Sequence, residues 1–270
     1  MDFAQAKKIF AGYLKQYDTK NDKIRLKIVH TYGVVDAARL IAEGLGLSGE
    51  DTALALHIAL LHDIGRFEQL KRYDSFDDSI VPHADLSLSI LFDENLIRSF
   101  IPERDYDSVI YTAIKNHGVY LMDDSLTGRD RLHSMIIRDA DKLDNFRVKE
   151  QDSIPAMLDI EAEELGAEDI SDHILTSFLN RRPIKNSDRV THMDMWISYL
   201  GYIYDLNFPE SRRCAAERGV IDTLIDRVPY SNEATRRKME LIRQAAWNFL
   251  SESTAGGQPF SLSEIRTDRL

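Results

Sequence analysis

Residues 48–65 read SGEDTALALHIALLHDIG. Ser48 with Asp51 resembles a capping box, in which a side-chain oxygen satisfies an otherwise unpaired amide at a helix start. The run LALHIALLHDI that follows predicts a helix reaching Gly65 and ending on the adjacent pair His62 and Asp63. Upstream, residues 22–43 place Leu26, His30, Val34, Ala38 and Ile41 at helical steps, with Gly44 as the C-cap. Residues 3–17 repeat the pattern with Phe3, Ala6, Ile9, Phe10, Tyr13, Leu14 and Tyr17. Downstream, the polar stretch 66–81 reads as a loop, and Pro82 suits the first turn of a helix reaching about Phe92. Helices follow over 105–117 and 129–148, then over 169–180, 188–206, 210–227 and 231–252. The last four are separated by RRPIKNSD, NFPES and VPYSN, which hold the turn-forming residues. No strand alternation and no internal repeat interrupts this, so the expected class is all-α.

Composition narrows the function. A chain of 270 residues suits one large domain or a domain with an extension, and buries enough surface to need no disulfide. The single cysteine, Cys214, points to a reducing compartment. The N-terminal residues are too polar for a signal peptide, and no apolar run is long enough to span a membrane. A cytoplasmic protein without a membrane partner is expected. The net charge of −11 argues against a nucleic-acid polymer as partner, which calls for a basic stripe. A small anionic substrate is compatible with it, because bound dications dominate their local field.

The chemistry concentrates in the first 145 residues. His30 lies on the apolar face of its helix, and His62 and Asp63 close the next one. His83 follows Pro82 at a helix start, His117 precedes Gly118 at a helix end, and Asp141 lies within RDADKLDN. Imidazole and carboxylate together suit iron, manganese, nickel, cobalt or zinc better than magnesium, which prefers oxygen. Helix neighbours point about 100° apart, so His62 and Asp63 can reach one ion from different sides. The second oxygen of Asp63 can bridge to a second ion, for which His83 and His117 supply ligands. Two ions about 3.5–4 Å apart generate a hydroxide nucleophile near neutral pH and clamp both oxygens of an in-line displacement.

The series His30, His62–Asp63, His83, His117, Asp141 resembles the H…HD…H…H…D signature of the HD phosphohydrolase superfamily. The strings HTYGVVDAARLIAEGLGL, ALLHDIGRFEQ and RDADKLDN match it locally, over roughly residues 22–150. The resemblance implies a helical HD bundle in which His30, His62, Asp63 and Asp141 hold one divalent ion. His83 and His117 then hold a second, with Asp63 bridging. It also implies hydrolysis of phosphomonoesters or phosphodiesters, often of nucleotides. The chain has HDIGR where cyclic-di-GMP phosphodiesterases have HDIGK, and lacks their GYP string. It also has no evident ED pair of the kind that guanosine polyphosphate hydrolases use, so the substrate stays open.

Other residues divide by position. Arg66 and Lys142 are candidates to hold a substrate phosphate, against pairing with Glu68 or Asp144 at the surface. Together with Asp63 they form the expected catalytic group, with Lys71, Arg72 and Arg147 weaker candidates. Asp139 and Asp144 compete with Asp141, and Asp139 suits an outer-shell or capping role. His57 lies about 140° round the helix from His62 and reads as a core histidine. His133, His173 and His192 read as structural or surface groups, and Cys214 as a packed thiol. Trp196, Tyr199, Tyr202, Ile203 and Leu206 read as a core face; the alternative is that this second half lids the pocket or forms a homodimer surface.

The expected organisation is an HD core over 1–150, a helical extension packed on it over 151–252, and a mobile tail over 253–270. The leading function is hydrolysis of a small phosphorylated molecule, a nucleotide foremost, by two divalent transition-metal ions. The alternatives are a mixed-valence diiron oxygenase on the same ligands and a nucleotide-binding regulatory domain.

Overall fold

A computed structural model describes residues 1–255 of the chain. Residues 253–255 belong to the backbone of its last helix; the rest of the segment expected to be mobile, 256–270, lies outside the described residues. The described residues form helices joined by turns and loops and contain no strand. They form two units, Met1–Asp144 and the residues from Asn145 onward.

The first unit holds α1 (Phe3–Leu14), α2 (Asp22–Gly44), α3 (Gly49–Leu61), α4 (Ile64–Tyr73), α5 (His83–Leu88), α6 (Ile97–Phe100) and α7 (Asp107–Asn116). Most of α8 (Gly128–Gln151) also belongs to it, and a π-helical turn, Ser89–Asp93, continues α5. Helix α2 starts on Asn21, whose side chain accepts from the amides of Lys23 and Ile24. Its buried face carries Ile24, His30, Val34, Ala38 and Ile41. The left-handed residue that ends it is Gly46 (φ 62°) and not Gly44. The amide of Leu47 reaches back to Ala42 O at 3.0 Å, closing carbonyls that a plain helix end leaves open.

Helix α3 begins as expected, with Ser48 Oγ accepting from Asp51 N at 3.1 Å. It does not reach Gly65. It ends at Leu61, so that His62 is its C-cap and Asp63 the N-cap of α4. The break leaves backbone groups unpaired, and Ser87 of α5 satisfies them: its hydroxyl accepts from Gly65 N at 2.9 Å and donates to His62 O at 3.0 Å. Gly65 makes this possible, because a Cβ there would lie 2.5 Å from Ser87 N and 2.6 Å from His83 O.

The stretch 66–81 is also not all loop. Helix α4 runs on to Tyr73 because Ile64, Phe67 and Leu70 recur at helical spacing and are buried, while Lys71 and Arg72 face outward. Phe67 packs against Phe10 and Tyr17. Only the segment after Asp74, which closes α4 in the left-handed conformation (φ 48°), is loop.

The second unit contains α9 (Ile154–Leu158), α10 (Ala162–Ala167), α11 (Asp172–Leu179), α12 (His192–Leu200), α13 (Pro209–Glu217), α14 (Val220–Asp226) and α15 (Glu233–Ala255). The short α9 and α10 carry too few turns to show a period. The expected helix over 210–227 is two helices, because Gly219 takes a left-handed conformation (φ 64°) between them. Trp196, Ile203 and Leu206 are buried as a core face, and Trp196 donates to Leu224 O at 3.1 Å.

Candidate metal centre

The six residues singled out by the sequence come together in the first unit from six helices. His30 projects from the middle of α2, and His62 and Asp63 occupy the α3–α4 break. His83 is the first residue of α5, His117 caps α7, and Asp141 lies within α8. His30 Nε2 stands 3.0 Å from Asp141 Oδ1 and 3.8 Å from Asp63 Oδ2. His62 Nε2 is 3.7 Å from Asp63 Oδ2 and 3.9 Å from Asp141 Oδ1. On the opposite side, Asp63 Oδ1 is 3.4 Å from His83 Nε2 and 3.7 Å from His117 Nε2. The carboxylate of Asp63 thus turns one oxygen to each pair of imidazoles.

Each of the four rings is held through Nδ1, which leaves Nε2 for the centre. His62 Nδ1 donates to Ala59 O at 2.8 Å, and His117 Nδ1 to Ile114 O at 2.6 Å. His30 Nδ1 meets Asp144 Oδ2 at 2.7 Å, and His83 Nδ1 meets both oxygens of Asp78 at 2.8 and 2.9 Å. Such partners fix the tautomer and raise the basicity of the ligating nitrogen. Asp144 fits against α2 because residue 33 is glycine: a Cβ there would lie 1.8 Å from Asp144 Oδ1.

The electrostatics suit a cation. Burial works against the charge of Asp63, but Lys27, His62 and their neighbours outweigh it and hold the carboxyl well below the usual range. Asp141 is likewise held far down against its burial, chiefly by His30. Burial depresses His62 to about 4 and lowers His83. His30 is raised instead: burial and Lys27 oppose its charge, but Asp141 and Asp144 prevail.

The donor set fits divalent transition ions. His62 Nε2 is buried with no hydrogen-bond partner among the described residues. His83 Nε2 and His117 Nε2 face each other at 2.8 Å while both Nδ1 atoms are engaged with acceptors. Two imidazole lone pairs at that distance repel unless a proton or a metal cation lies by them. His30, His62 and Asp141 form one group with metal-binding geometry, and His62, Asp63 and His117 another.

Two cations lie beside Asp63. Lys27, which the sequence reading passed over, donates from Nζ to Asp63 Oδ2 at 2.9 Å and lies over the Phe76 ring. Arg66 pairs with neither Glu68 nor Asp144: it donates to both oxygens of Asp78, at 2.8 and 3.1 Å, and to Phe76 O at 2.8 Å. Its Nε is 3.8 Å from Asp63 Oδ1. Lys142 is buried on α8 and donates to Arg138 O at 3.4 Å. Lys71 and Arg72 pair with Glu68, and Arg147 donates to Gln151. Asp139 is buried on α8. His57 is buried against the Phe3 ring with Nδ1 on Ala53 O, and His133 is buried beside Asp51.

Residues 28–145 match the family model described as HD domain. That family is commonly one of metal-dependent phosphohydrolases, with some members that are not enzymes. No curated protein and no solved structure matches the chain. No helix among the described residues is long and apolar enough to cross a membrane.

Proposed function

We propose that this chain, whose residues 28–145 match the HD domain model, is a hydrolase of small phosphorylated molecules, nucleotides foremost, that works with two divalent transition-metal ions. The observation that carries the reading is Asp63, whose two carboxylate oxygens are divided between His30 and His62 on one side and His83 and His117 on the other. His30, His62, Asp63 and Asp141 would hold one ion; His83, His117 and the second oxygen of Asp63 would hold the other. Ions bound there would supply Lewis-acid charge and an activated water near neutral pH. Iron, manganese, nickel, cobalt and zinc all suit the ligand set.

The chain's own cations would hold the substrate. Lys27 is the ammonium nearest the shared carboxylate, so it is favoured to meet an anionic group beside the ions. Arg66 and Lys142 lend positive charge from further back. The net charge of −11 supports a small substrate, because a polymer must also lie along the acidic exterior. The single cysteine supports a cytoplasmic setting.

Metal analysis followed by a panel of nucleotides, simple phosphoesters and short oligonucleotides tests the proposal, with each metal added separately. Turnover should be greatest on a small phosphoester. His62→Ala and Asp63→Ala should drop it to background with far-UV circular dichroism nearly unchanged. Oxygen uptake by a ferrous, reduced sample in place of phosphate release would favour the oxygenase alternative. Metal loading without turnover would favour the regulatory one. Better hydrolysis of oligonucleotides would overturn the argument from charge.

A further inference from the structure

The four histidines are not anchored alike. His62 and His117 lean on carbonyls of their own helices, which cannot move without unwinding a turn. His30 leans on Asp144, whose side chain is only 2% exposed in the notch at Gly33. His83 leans on Asp78, whose side chain is 45% exposed and sits in the loop between α4 and α5. Asp78 Oδ1 also accepts from the His83 amide at 3.2 Å, so one carboxylate sets both the ring and the backbone at the start of α5. Arg66 grips the same carboxylate with two parallel bonds, and Gln69 Nε2 adds a third contact at 3.3 Å. The loop is thereby stapled to the first turns of α4, directly after Asp63.

We propose that Asp78 is a positioning residue that makes occupancy of the His83–His117 half of the centre depend on the α4–α5 loop, so that the ion held there is the exchangeable one. This rests on the two-ion reading above. Arg66 acts from behind: it fixes the plane of the Asp78 carboxylate, and Asp78 in turn aims His83 Nε2 at the centre and raises its basicity. The buried Asp144–His30 pair gives the other half no comparable dependence on a solvent-open loop.

Metal-stripped full-length protein titrated with cobalt(II) provides the test, with visible absorption reporting coordination and chelator competition reporting affinity. The natural sequence should take up two equivalents. Asp78→Asn should bind the first unchanged and the second about 10- to 100-fold more weakly, the range for loss of an outer-shell partner. Asp78→Glu should restore part of that affinity, and Arg66→Gln should weaken the second equivalent in the same direction. Asp77→Asn, whose carboxylate caps the Ser79 amide instead, should leave both equivalents unchanged. An unaltered second equivalent in Asp78→Asn overturns the inference alone. Equal weakening of both equivalents also overturns it, because Asp78 then supports the fold generally. Saturation of the natural sequence at one equivalent overturns the two-ion reading and this inference with it.

Discussion

Asp63 carries its charge in a buried place because of what surrounds it. Four imidazoles, the Lys27 ammonium and the Arg66 guanidinium approach its two oxygens, and Lys27 makes the shortest of these contacts. Replacing Lys27 with methionine keeps the length of the stem and removes the charge. Lys27→Met should raise KM for the best phosphoester or lower kcat, with kcat/KM falling about 10- to 100-fold, the worth of a hydrogen bond to a charged group. Unchanged kcat/KM would remove Lys27 from the substrate side. The ligands themselves were legible in the sequence because each sits in a recognisable local string. Lys27 had no string. Its one signal was place: it lies three residues before His30, one turn away, so both side chains leave α2 on the same side.

The break between α3 and α4 puts two adjacent residues on different helices, which is how His62 and Asp63 turn toward one centre from different directions. Gly65 holds the break closed against α5. Gly65→Ala would press a methyl group into backbone atoms of His83 and Ser87, which cannot rotate away. The loss of stability in urea unfolding should be about 1–3 kcal/mol, the usual cost of overpacking. The second cobalt equivalent should weaken with it, because His83 is among the residues displaced. Equal stability and metal binding would mean that α4 and α5 part without strain. Periodicity was enough to find the long helices, since α2 and α3 bury broad apolar faces. It failed where the signal is dilute. Residues 66–72 spell mostly polar side chains, so the stripe of Ile64, Phe67 and Leu70 was hidden among them. The interruption at Gly219 was missed for a different reason: a glycine within a helical pattern does not announce a left-handed φ.

Over the whole molecule, acid should act partly through histidines remote from the centre. His57 and His133 are buried, and burial depresses the pKa of both. In the unfolded chain each takes up a proton as pH falls through about 6.5. The folded chain does so only at lower pH, so the unfolded state binds more protons in that window and stability falls with pH. Each such histidine contributes a slope of up to about 1.4 kcal/mol per pH unit between its unfolded and folded pKa. His57→Gln should flatten the fall in Tm between pH 7 and about 5 relative to the natural sequence. Parallel curves would mean that His57 protonates in place at no cost. The His133–Asp51 contact acts in the same direction at lower pH: Asp51 is lowered, chiefly by its bond to His133, and the stability it adds is lost only as pH falls below the ordinary carboxylate range.

The notch at Gly33 carries a genetic consequence. Neither Gly33 nor Asp144 is among the six residues proposed to ligate metal, yet a side chain at one position evicts the carboxylate at the other, and His30 loses its anchor in either case. Alanine at 33 and asparagine at 144 should therefore be epistatic: each alone loosens the first ion, while the pair is no worse than the more severe single change. A suppressor of Gly33→Ala should arise where residue 144 is reshaped so that the clash is relieved while an acceptor for His30 Nδ1 is kept, and not by altering any ligand. A screen for regained metal binding would find it on α8, far along the chain from the lesion on α2.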